Sequence, residues 1–313
     1  MINSIDGGYL LVAGGKLDPN LTRLIEIAQH RQIPVLEQRH GQEESPKFSW
    51  HLNQEQPKIA GQTLCPTGAF IRYDVFNNMN AANSGASQRA SGWYQTLYGW
   101  LLSQNNIRLL NRNQLPAVGN KPAMLILAQQ LGLKIPDTWI TNEAKELEKY
   151  PVGSAIAKPV AGGDFCYSLE ELHSRIQFRD GCAAMPAIVQ NRLVPPEIRI
   201  YIVGNRAFAF EIRSQHLDYR VKQDAQVIPV ALPEAQVELL RKLMAALQMD
   251  FGAADFKTDP QTKELVFLEL NSSPMFVRFD QVVNGTLCEA IIDTLLNRYS
   301  SGMDMDSKRV PLF

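Results

Sequence analysis

The sequence predicts a mixed fold in which an α/β domain is followed by an α+β region. The first observation is a β-α-β pattern near the start, where two apolar segments enclose a segment with helical spacing; this pattern favours a parallel sheet. The second is a series of hairpin-like strands and single helices beyond residue 115, which is typical of α+β domains. The third is a chain of 313 residues, 45% of them hydrophobic, which can form two or three cores.

Residues 1–115 are predicted to form the α/β domain. Four apolar segments predict its strands: GYLLVAG (8–14), IPVLEQ (33–38), TGAFIRYDVF (67–76) and IRLLN (107–111). Apolar residues at helical spacing predict a helix over LTRLIEIAQHR (21–31). A polar stretch after residue 76 is predicted to be a loop, and the helix after it places apolar residues on one side: Trp93, Leu97, Trp100 and Leu101.

The remainder of the chain combines helices with antiparallel strands. Three segments predict helices: NKPAMLILAQQLG, which Gly132 ends, SLEELHSRIQ (168–177) and PEAQVELLRKLMAALQM (233–249). Ser168 and Glu171 have the spacing of a capping box. Four segments predict strands or hairpins: SAIAKPVAGGDF (154–165), AAMPAIVQNRL (183–193), EIRIYIVGNRAFAFEIRS (197–214) and FGAADFKTDPQTKELVFLELN (251–271).

Charge and cysteine content argue against several classes of protein. The formal net charge is -1 and no run of like charges occurs in the sequence, so binding to nucleic acid or to a membrane surface is not indicated. The four cysteines have neither metal-ligand nor disulfide-framework spacing, which favours a reducing cytoplasm. The first residues have too short an apolar core for a signal peptide, and no stretch of the sequence is long enough to span a membrane. We therefore expect a cytoplasmic protein without a nucleic-acid or membrane partner.

Polar side chains interrupt the apolar strand FLELN (267–271). Because strand residues alternate in direction, Glu269 and Asn271 are expected to face one side of the sheet. Val266, Leu268 and Leu270 are expected to face the other side. A buried carboxylate is costly unless it has a partner, so Glu269 is expected to meet a positive charge.

A hairpin would bring a further oxygen ligand to this side. DPQTKE separates the two strands, and a turn centred near residues 261–262 places Asp255 opposite Glu269, about 5 Å away across the ladder. Two carboxylates and the Asn271 carboxamide are hard oxygen ligands of the kind that Mg²⁺ binds together with substrate phosphates. The sequence therefore predicts a metal site of Asp255, Glu269 and Asn271. The alternative is that Asp255 lies in water and Glu269 pairs with a lysine or an arginine.

Two lysines occupy positions from which they could bind phosphate. Lys121 stands near the start of a predicted helix, and Lys158 ends an apolar strand just before a turn that contains Gly162 and Gly163. A lysine at the mouth of a strand can reach phosphate oxygens that the backbone N–H groups of a glycine turn also approach. The alternative is that both are ordinary surface lysines, since AGGDF matches neither the P-loop nor the GxGxxG pattern.

Three arginines complete the candidate residues: Arg199, Arg213 and Arg220. Arg199 and Arg213 are predicted on neighbouring strands of one hairpin that turns at Gly204-Asn205, where they could bind one phosphate or carboxylate together. The alternative is that they cover the solvent face of an antiparallel sheet. The sequence contains no serine-hydrolase signature and no pattern of a nucleophilic cysteine, so covalent hydrolysis is disfavoured.

These segments, in this order, resemble the ATP-grasp carboxylate-amine ligases, above all the RimK-type enzymes and the graspetide (microviridin-type) peptide maturases. The resemblance extends from NKPAMLILAQQLG to the CEAIIDTL segment, close to two-thirds of the chain. Its most specific part is GAADFKTD with FLELNSSP, where the family's metal ligands correspond to Asp255, Glu269 and Asn271. The family's nucleotide-binding lysines correspond to Lys121 and Lys158.

The resemblance implies an ATP-grasp fold in three parts. These are an N-terminal α/β (pre-ATP-grasp) domain at 1–115, a central subdomain at 116–186 and a C-terminal subdomain with the metal site at 187–313. The resemblance also implies the reaction: ATP phosphorylates a substrate carboxylate to an acylphosphate, and an amine or a hydroxyl attacks it. The products are an amide or ester, ADP and phosphate, and two Mg²⁺ ions are expected.

Further residues have counterparts in the family. AIVQN corresponds to the adenine-binding hinge, with Gln190 and Asn191 at its edge, and Glu197 would contact the ribose. IRSQHLDYR, which contains Arg220, is similar to a peptide-maturase segment whose arginine is expected near the transferred phosphate. Arg199 or Arg213 would orient the acyl acceptor.

The resemblance does not determine the substrate. The substrate is either a precursor peptide or a free amino acid that is joined to another small molecule. Two other functions also stay open: a nucleotide-binding module without ligase activity, suggested by the short flap VAGGDF, and a metal-dependent hydrolase that uses the same carboxylates. The family is commonly dimeric or tetrameric, so a homo-oligomer is expected.

Overall fold

The computed structural model describes residues 8–41, 45–53, 56–76, 85–161, 166–214 and 225–297. These residues form two compact units. Unit 1 comprises the described residues up to Leu109 together with those from Cys288 onward, and unit 2 comprises the described residues from Leu110 to Leu287. No helix in this part of the chain has the length and apolar character needed to cross a membrane. The division of the second region between residues 186 and 187 stays a prediction.

A four-stranded parallel sheet forms the centre of unit 1. Its elements are β1 (Leu10–Gly15), α1 (Pro19–His30), β2 (Val35–His40), β3 (Phe48–Ser49), β4 (Lys58–Ile59), β5 (Gln62–Thr63), β6 (Gly68–Ile71), α2 (Gly85–Ser103) and β7 (Arg108–Leu109). The order in the sheet is β2-β1-β6-β7 and all three pairings are parallel, which confirms the prediction from the β-α-β pattern. The two-residue strands β3, β4 and β5 form a separate antiparallel sheet, and such short segments carry no pattern that would predict them.

Two positions in unit 1 show why the sequence folds this way locally. Asp18 caps α1, because its carboxylate accepts the backbone N–H of Asn20 at 2.8 Å and the Nε–H of Arg72 at 2.8 Å. Gly68 begins β6, and a Cβ there would lie 2.3 Å from the carbonyl oxygen of Leu295. Only glycine allows these two backbone segments to approach so closely.

Unit 2 contains two antiparallel sheets. Its elements are a 3₁₀ turn (Pro116–Gly119), α3 (Lys121–Gln130), β8 (Thr138–Glu143), α4 (Ala144–Leu147), β9 (Ala155–Pro159), β10 (Tyr167–Ser168), α5 (Leu169–Arg175), β11 (Cys182–Asn191), β12 (Val194–Val203), β13 (Arg206–Arg213), β14 (Gln226–Val230), α6 (Glu234–Ala246), β15 (Phe251–Thr258), β16 (Leu265–Asn271) and α7 (Val277–Val282). The final helix, α8 (Thr286–Leu295), begins in unit 2 and continues in unit 1. One sheet has the order β10-β9-β11-β8 and the other has the order β14-β13-β12-β15-β16.

Helices α3 and α6 cover one face of the five-stranded sheet. A hydrophobic cluster joins Met124 and Leu125 of α3, Leu240 and Leu243 of α6, and Phe256 of β15. Tertiary packing of an apolar stripe supplies most of the stability of such helices, which is why helical spacing predicts α6 correctly. The side chains of chemical interest lie on the other face of this sheet.

Asn111 fastens the ends of the two strands that carry the predicted metal ligands. Its φ is 53°, a conformation that asparagine tolerates better than most residues. Its Nδ2 donates to the carbonyl oxygens of Phe251 at 2.8 Å and Ser272 at 3.0 Å. Its Oδ1 accepts the backbone N–H groups of Asp250 and Phe251, each at 3.0 Å. One side chain therefore fixes the start of β15 to the end of β16.

Candidate functional site

The hairpin of β15 and β16 brings the predicted oxygen ligands together. Asp255 is the cross-strand partner of Glu269, which confirms the register expected from the turn. The turn is held by Asp259, whose carboxylate accepts two backbone N–H groups of the turn at 2.7 and 2.8 Å. Asn271 lies two residues beyond Glu269, and its Nδ2 donates to Oε1 of Glu269 at 3.2 Å. Three oxygen-bearing side chains thus share one region of the sheet.

Leu268 departs from the strict alternation that the sequence predicts. Asp255 pairs with Glu269 but Phe256 pairs with Phe267, so Leu268 is the extra residue of a β-bulge. Leu268 lines the same cavity as Glu269, whereas Phe267 belongs to the core cluster. The expectation that Leu268 faces away from Glu269 is therefore wrong, because the bulge turns this side chain toward the cavity and places an apolar surface beside the carboxylate. The expectation for Val266 is wrong as well, since Val266 pairs with Lys257, which lies on the same face of the sheet as Asp255.

Strands β12 and β15 place two opposite-charge pairs side by side. Glu197 stands opposite Lys257, and Arg199 stands opposite Asp255. The Nε and Nη2 groups of Arg199 donate to the two carboxylate oxygens of Asp255 at 2.8 and 2.9 Å, and Nζ of Lys257 lies 3.0 Å from Oε2 of Glu197. The sequence does contain a signal for this arrangement, since E-I-R in one strand and D-F-K in the other are complementary when they run antiparallel.

Lys158 and Glu269 influence each other's ionisation. Burial lowers the pKa of Lys158, while the charge of Glu269 opposes this shift and the charge of Lys121 adds to it. Burial is the largest influence on Glu269 and acts to raise its pKa, but the charges of Lys158, Lys121 and Arg199 and the hydrogen bond from Asn271 together outweigh it, so that this pKa lies below its ordinary value. Lys121 begins α3 and donates to the carbonyl oxygen of Pro159 at 3.1 Å. Glu269 thus meets the positive charge that its strand position requires.

A cavity of about 400 Å³ in unit 2 collects most of these side chains. The predicted residues that line it are Lys158, Gln190, Asn191, Glu197, Arg199, Asp255, Glu269 and Asn271. Ile156, Leu193 and Leu268 supply an apolar wall. The volume and the combination of an apolar wall with a few converging polar groups are typical of small-molecule sites.

Two polar side chains at the cavity are buried at an energetic cost: Gln190 has an oxygen without a hydrogen bond among the described residues, and the carboxyl group of Glu197 is largely removed from water. Gln190 is fully buried, and its Nε2 donates to Oγ1 of Thr138 at 2.9 Å. Its Oε1 accepts no hydrogen bond from the residues that the structure describes, although an unpaired buried carbonyl is costly. Burial raises the pKa of Glu197, and the charge of Lys257 opposes this shift. Both side chains could therefore gain hydrogen bonds from a ligand.

The structure does not bring Arg213 to the cavity. Arg199 pairs with Phe210 across the β12–β13 ladder, and Arg213 follows Phe210 by an odd number of residues, so it points to the opposite face of the sheet. Its Nε and Nη2 groups donate to the carboxylate of Glu211 at 2.7 and 3.0 Å. The expected cooperation of Arg199 and Arg213 on one anion is therefore not seen. Three other predicted residues lie outside the described part of the chain: Gly162, Gly163 and Arg220.

Several cavity residues were not anticipated from the sequence. They are Cys166, Arg192, Lys257, Met275, Arg278 and Phe279. Met275, Arg278 and Phe279 follow β16 in the segment SSPMFVRF. Residues that directly follow a strand commonly line a site at the end of that strand. Their position after Asn271 is therefore the sequence signal that could have identified them.

The residues present fit a divalent cation. Asp255 and Glu269 supply carboxylates from neighbouring strands, and Asn271 supplies a carboxamide. Each Asp255 oxygen accepts one hydrogen bond from Arg199, and a carboxylate oxygen has a second lone pair for a cation. Within the described ranges, no group of three or more His, Cys, Asp or Glu residues comes together, so the third ligand would be the amide.

Solved structures of ATP-grasp ligases have the same fold. PsnB, an ATP-grasp ligase complexed with a minimal precursor, Mg and ADP, matches with a TM-score of 0.71 and 21% identity over 91% of this chain and 97% of that chain. The macrocyclase MdnC from Microcystis aeruginosa MRC, bound with the precursor peptide MdnA, matches with a TM-score of 0.67 and 20% identity over 92% of this chain and 98% of that chain. The VanG D-Ala:D-Ser ligase from Enterococcus faecalis matches with a TM-score of 0.56 and 16% identity over 92% of this chain and 98% of that chain.

The comparisons establish the fold of this chain. No protein-family model matches the sequence, and no curated protein sequence matches it. At identities of 16 to 21%, the structural matches show a shared architecture. The chain therefore has the ATP-grasp fold, which confirms the fold that the sequence resemblance predicts.

Proposed function

We propose that this chain is an ATP-dependent ligase that activates a carboxylate as an acylphosphate and joins it to an amine or a hydroxyl. The observation that carries the proposal is the meeting of Asp255, Glu269 and Lys158 at one cavity that also has an apolar wall. Binding of ATP with Mg²⁺ requires these features: carboxylates for the cation, a positive charge for the phosphates and an apolar surface for the base. The ATP-grasp fold supports the same proposal.

Several of the predicted residues have a role in this proposal. Gln190 and Asn191 lie at the edge of the adenine site, and Glu197 accepts a hydrogen bond from the ribose. Lys158 holds phosphate oxygens, and Lys121 adds positive charge from the start of α3. The three oxygen ligands of the β15–β16 hairpin would hold Mg²⁺, which neutralises phosphate charge as it develops during transfer. The protein then acts by gathering and positioning groups, without a covalent nucleophile.

We infer that the substrate is a precursor peptide, since PsnB and MdnC are both complexed with precursors. The chain with Mg²⁺ and ATP should release ADP slowly by itself and at least about tenfold faster with its cognate peptide, because the acylphosphate forms only when a carboxylate is positioned. Small peptides encoded beside the gene are the probes, and ADP release is measured together with the mass of the peptide. The peptide should lose one water for each bond formed.

Two other outcomes would change the assignment. Full turnover with free amino acids alone would contradict the peptide substrate and leave a ligase of small molecules. Binding of Mg²⁺ and ATP without ADP formation across a broad screen of peptides and amino acids would contradict ligase activity altogether. The chain would then be a nucleotide-binding module.

Lys158→Met should weaken the binding of Mg²⁺ with AMPPNP by about tenfold or more, because a charge-assisted contact with a phosphate is lost. The same change should lower the unfolding temperature without nucleotide, because the buried carboxylate of Glu269 then loses the positive charge of Lys158. Isothermal titration calorimetry and thermal unfolding measure the two effects.

Lys134→Met is the matched control for Lys158→Met. Lys134 is exposed, pairs with Glu264 and does not line the cavity. The Lys134→Met substitution should leave the affinity for AMPPNP within about twofold of the wild-type value. Equal affinities for Lys158→Met and the wild type would remove Lys158 from the phosphate site.

A further inference from the structure

Arg278 is a cationic side chain of the cavity to which the proposed function gives no role. It lies in α7, is exposed, and lines the cavity. Its Nη2 donates to the carbonyl oxygen of Ala225 at 2.6 Å. This bond uses one donor and orients the guanidinium, while four further N–H donors stay available for a ligand.

Two other cations that line the cavity already have carboxylate partners. Arg199 is paired with Asp255 and Lys257 is paired with Glu197. Arg278 has no ion pair with a carboxylate among the residues that the structure describes. A planar guanidinium that is oriented but not neutralised is well suited to bind a carboxylate or phosphate through two parallel hydrogen bonds.

The surroundings of Arg278 distinguish these two anions. Met275 and Val277 line the cavity next to it, and the Met275 side chain is 40% exposed. An aliphatic stem would bury apolar area against them, whereas a phosphate has no apolar part to bury. The neighbourhood thus matches a carboxylate at the end of a short aliphatic chain, as in an aspartyl or glutamyl side chain.

We propose that Arg278 binds the substrate carboxylate that is to be phosphorylated. This inference rests on the proposed ligase function and adds a residue to it. In that role Arg278 holds the carboxylate in the cavity that the three oxygen ligands also line, without taking a proton or forming a covalent bond. The γ-phosphate of ATP offers the same anionic chemistry, so the experiment must separate the two sources.

The test uses N-acetyl-L-glutamate methylamide as a carboxylate probe and AMPPNP with Mg²⁺ as a nucleotide probe, each titrated into the full-length chain. Arg278→Leu should weaken binding of the carboxylate probe by about tenfold, since two charge-assisted hydrogen bonds are lost. It should leave AMPPNP affinity within about twofold. Arg278→Lys should restore part of the carboxylate affinity. Arg192→Leu is the control, because Arg192 is an exposed arginine that lines the same cavity.

Each result decides the proposal. Weaker binding of the carboxylate probe by Arg278→Leu, together with unchanged binding by Arg192→Leu, supports the proposal. Unchanged binding of the carboxylate probe in Arg278→Leu, or no binding by the wild type, overturns it. Loss of AMPPNP affinity in Arg278→Leu also overturns it, because the guanidinium would then hold phosphate. Failure of the wild type to bind AMPPNP contradicts the ligase function instead, and the carboxylate titration without nucleotide still decides whether Arg278 forms an anion subsite.

Discussion

Replacing Glu269 by glutamine should lower the rate of ADP formation by about 100-fold or more, because one of the two carboxylates that would hold Mg²⁺ loses its charge. The change is nearly isosteric, and an amide oxygen can still accept the hydrogen bond from Asn271. The chain should therefore stay folded, with an unfolding temperature within about 5 °C of the wild type. ADP release at saturating Mg²⁺ and ATP with the activating peptide measures the first effect, and thermal unfolding measures the second.

Glu264→Gln is the matched control for this prediction. Glu264 lies at the end of the same hairpin, is exposed and pairs with Lys134. The same loss of charge there should not change the rate of ADP formation. Normal turnover by Glu269→Gln would show that Glu269 is not a metal ligand, and equal losses in both variants would show that the effect comes from the hairpin and not from the site.

The part of the site that the sequence predicts is local. Asp255 and Glu269 are brought together by a turn whose residues, beginning with Asp259, prefer a tight reversal, although the bulge at Leu268 shifts their exact pairing by one residue. The same holds for the β12–β13 hairpin, which turns at Gly204-Asn205 as predicted. Short-range geometry of this kind is set by a few residues that are adjacent in sequence.

The rest of the site depends on contacts that no local pattern determines. Arg199 meets Asp255 because β12 and β15 are neighbours in the sheet, although β13, β14 and α6 lie between them in sequence. The β-bulge at Leu268 changes which side chains face the cavity, and alternation alone cannot show where a bulge occurs. Arg213 was expected beside Arg199 because both lie in one hairpin, but an odd offset in register separates their faces. Which strands pair, and in which register, is a tertiary property.

Two arginine–carboxylate pairs in the same sheet have the same bidentate geometry and differ in burial. Arg199 donates to both oxygens of Asp255 at 2.8 and 2.9 Å, and Arg213 donates to both oxygens of Glu211 at 2.7 and 3.0 Å. The side chains of the first pair are each 9% exposed, whereas those of the second are 59% and 21% exposed. Water screens an exposed pair and can replace its hydrogen bonds, but it cannot do so for a buried one.

Arg199→Met should therefore lower the free energy of unfolding by about 3 to 5 kcal/mol, because it leaves the buried carboxylate of Asp255 without these two hydrogen bonds. Arg213→Met should leave the unfolding midpoint in urea unchanged.

Adding Asp255→Asn to Arg199→Met should recover much of the lost stability, because the uncompensated charge is then removed. A double-mutant cycle measures this coupling by urea unfolding of the wild type, the two single mutants and the double mutant. Equal effects of Arg199→Met and Arg213→Met would contradict the argument from burial. A large coupling would show that Arg199 stabilises the buried Asp255 carboxylate in the chain without ligand, as the proposed metal site requires of an oriented ligand.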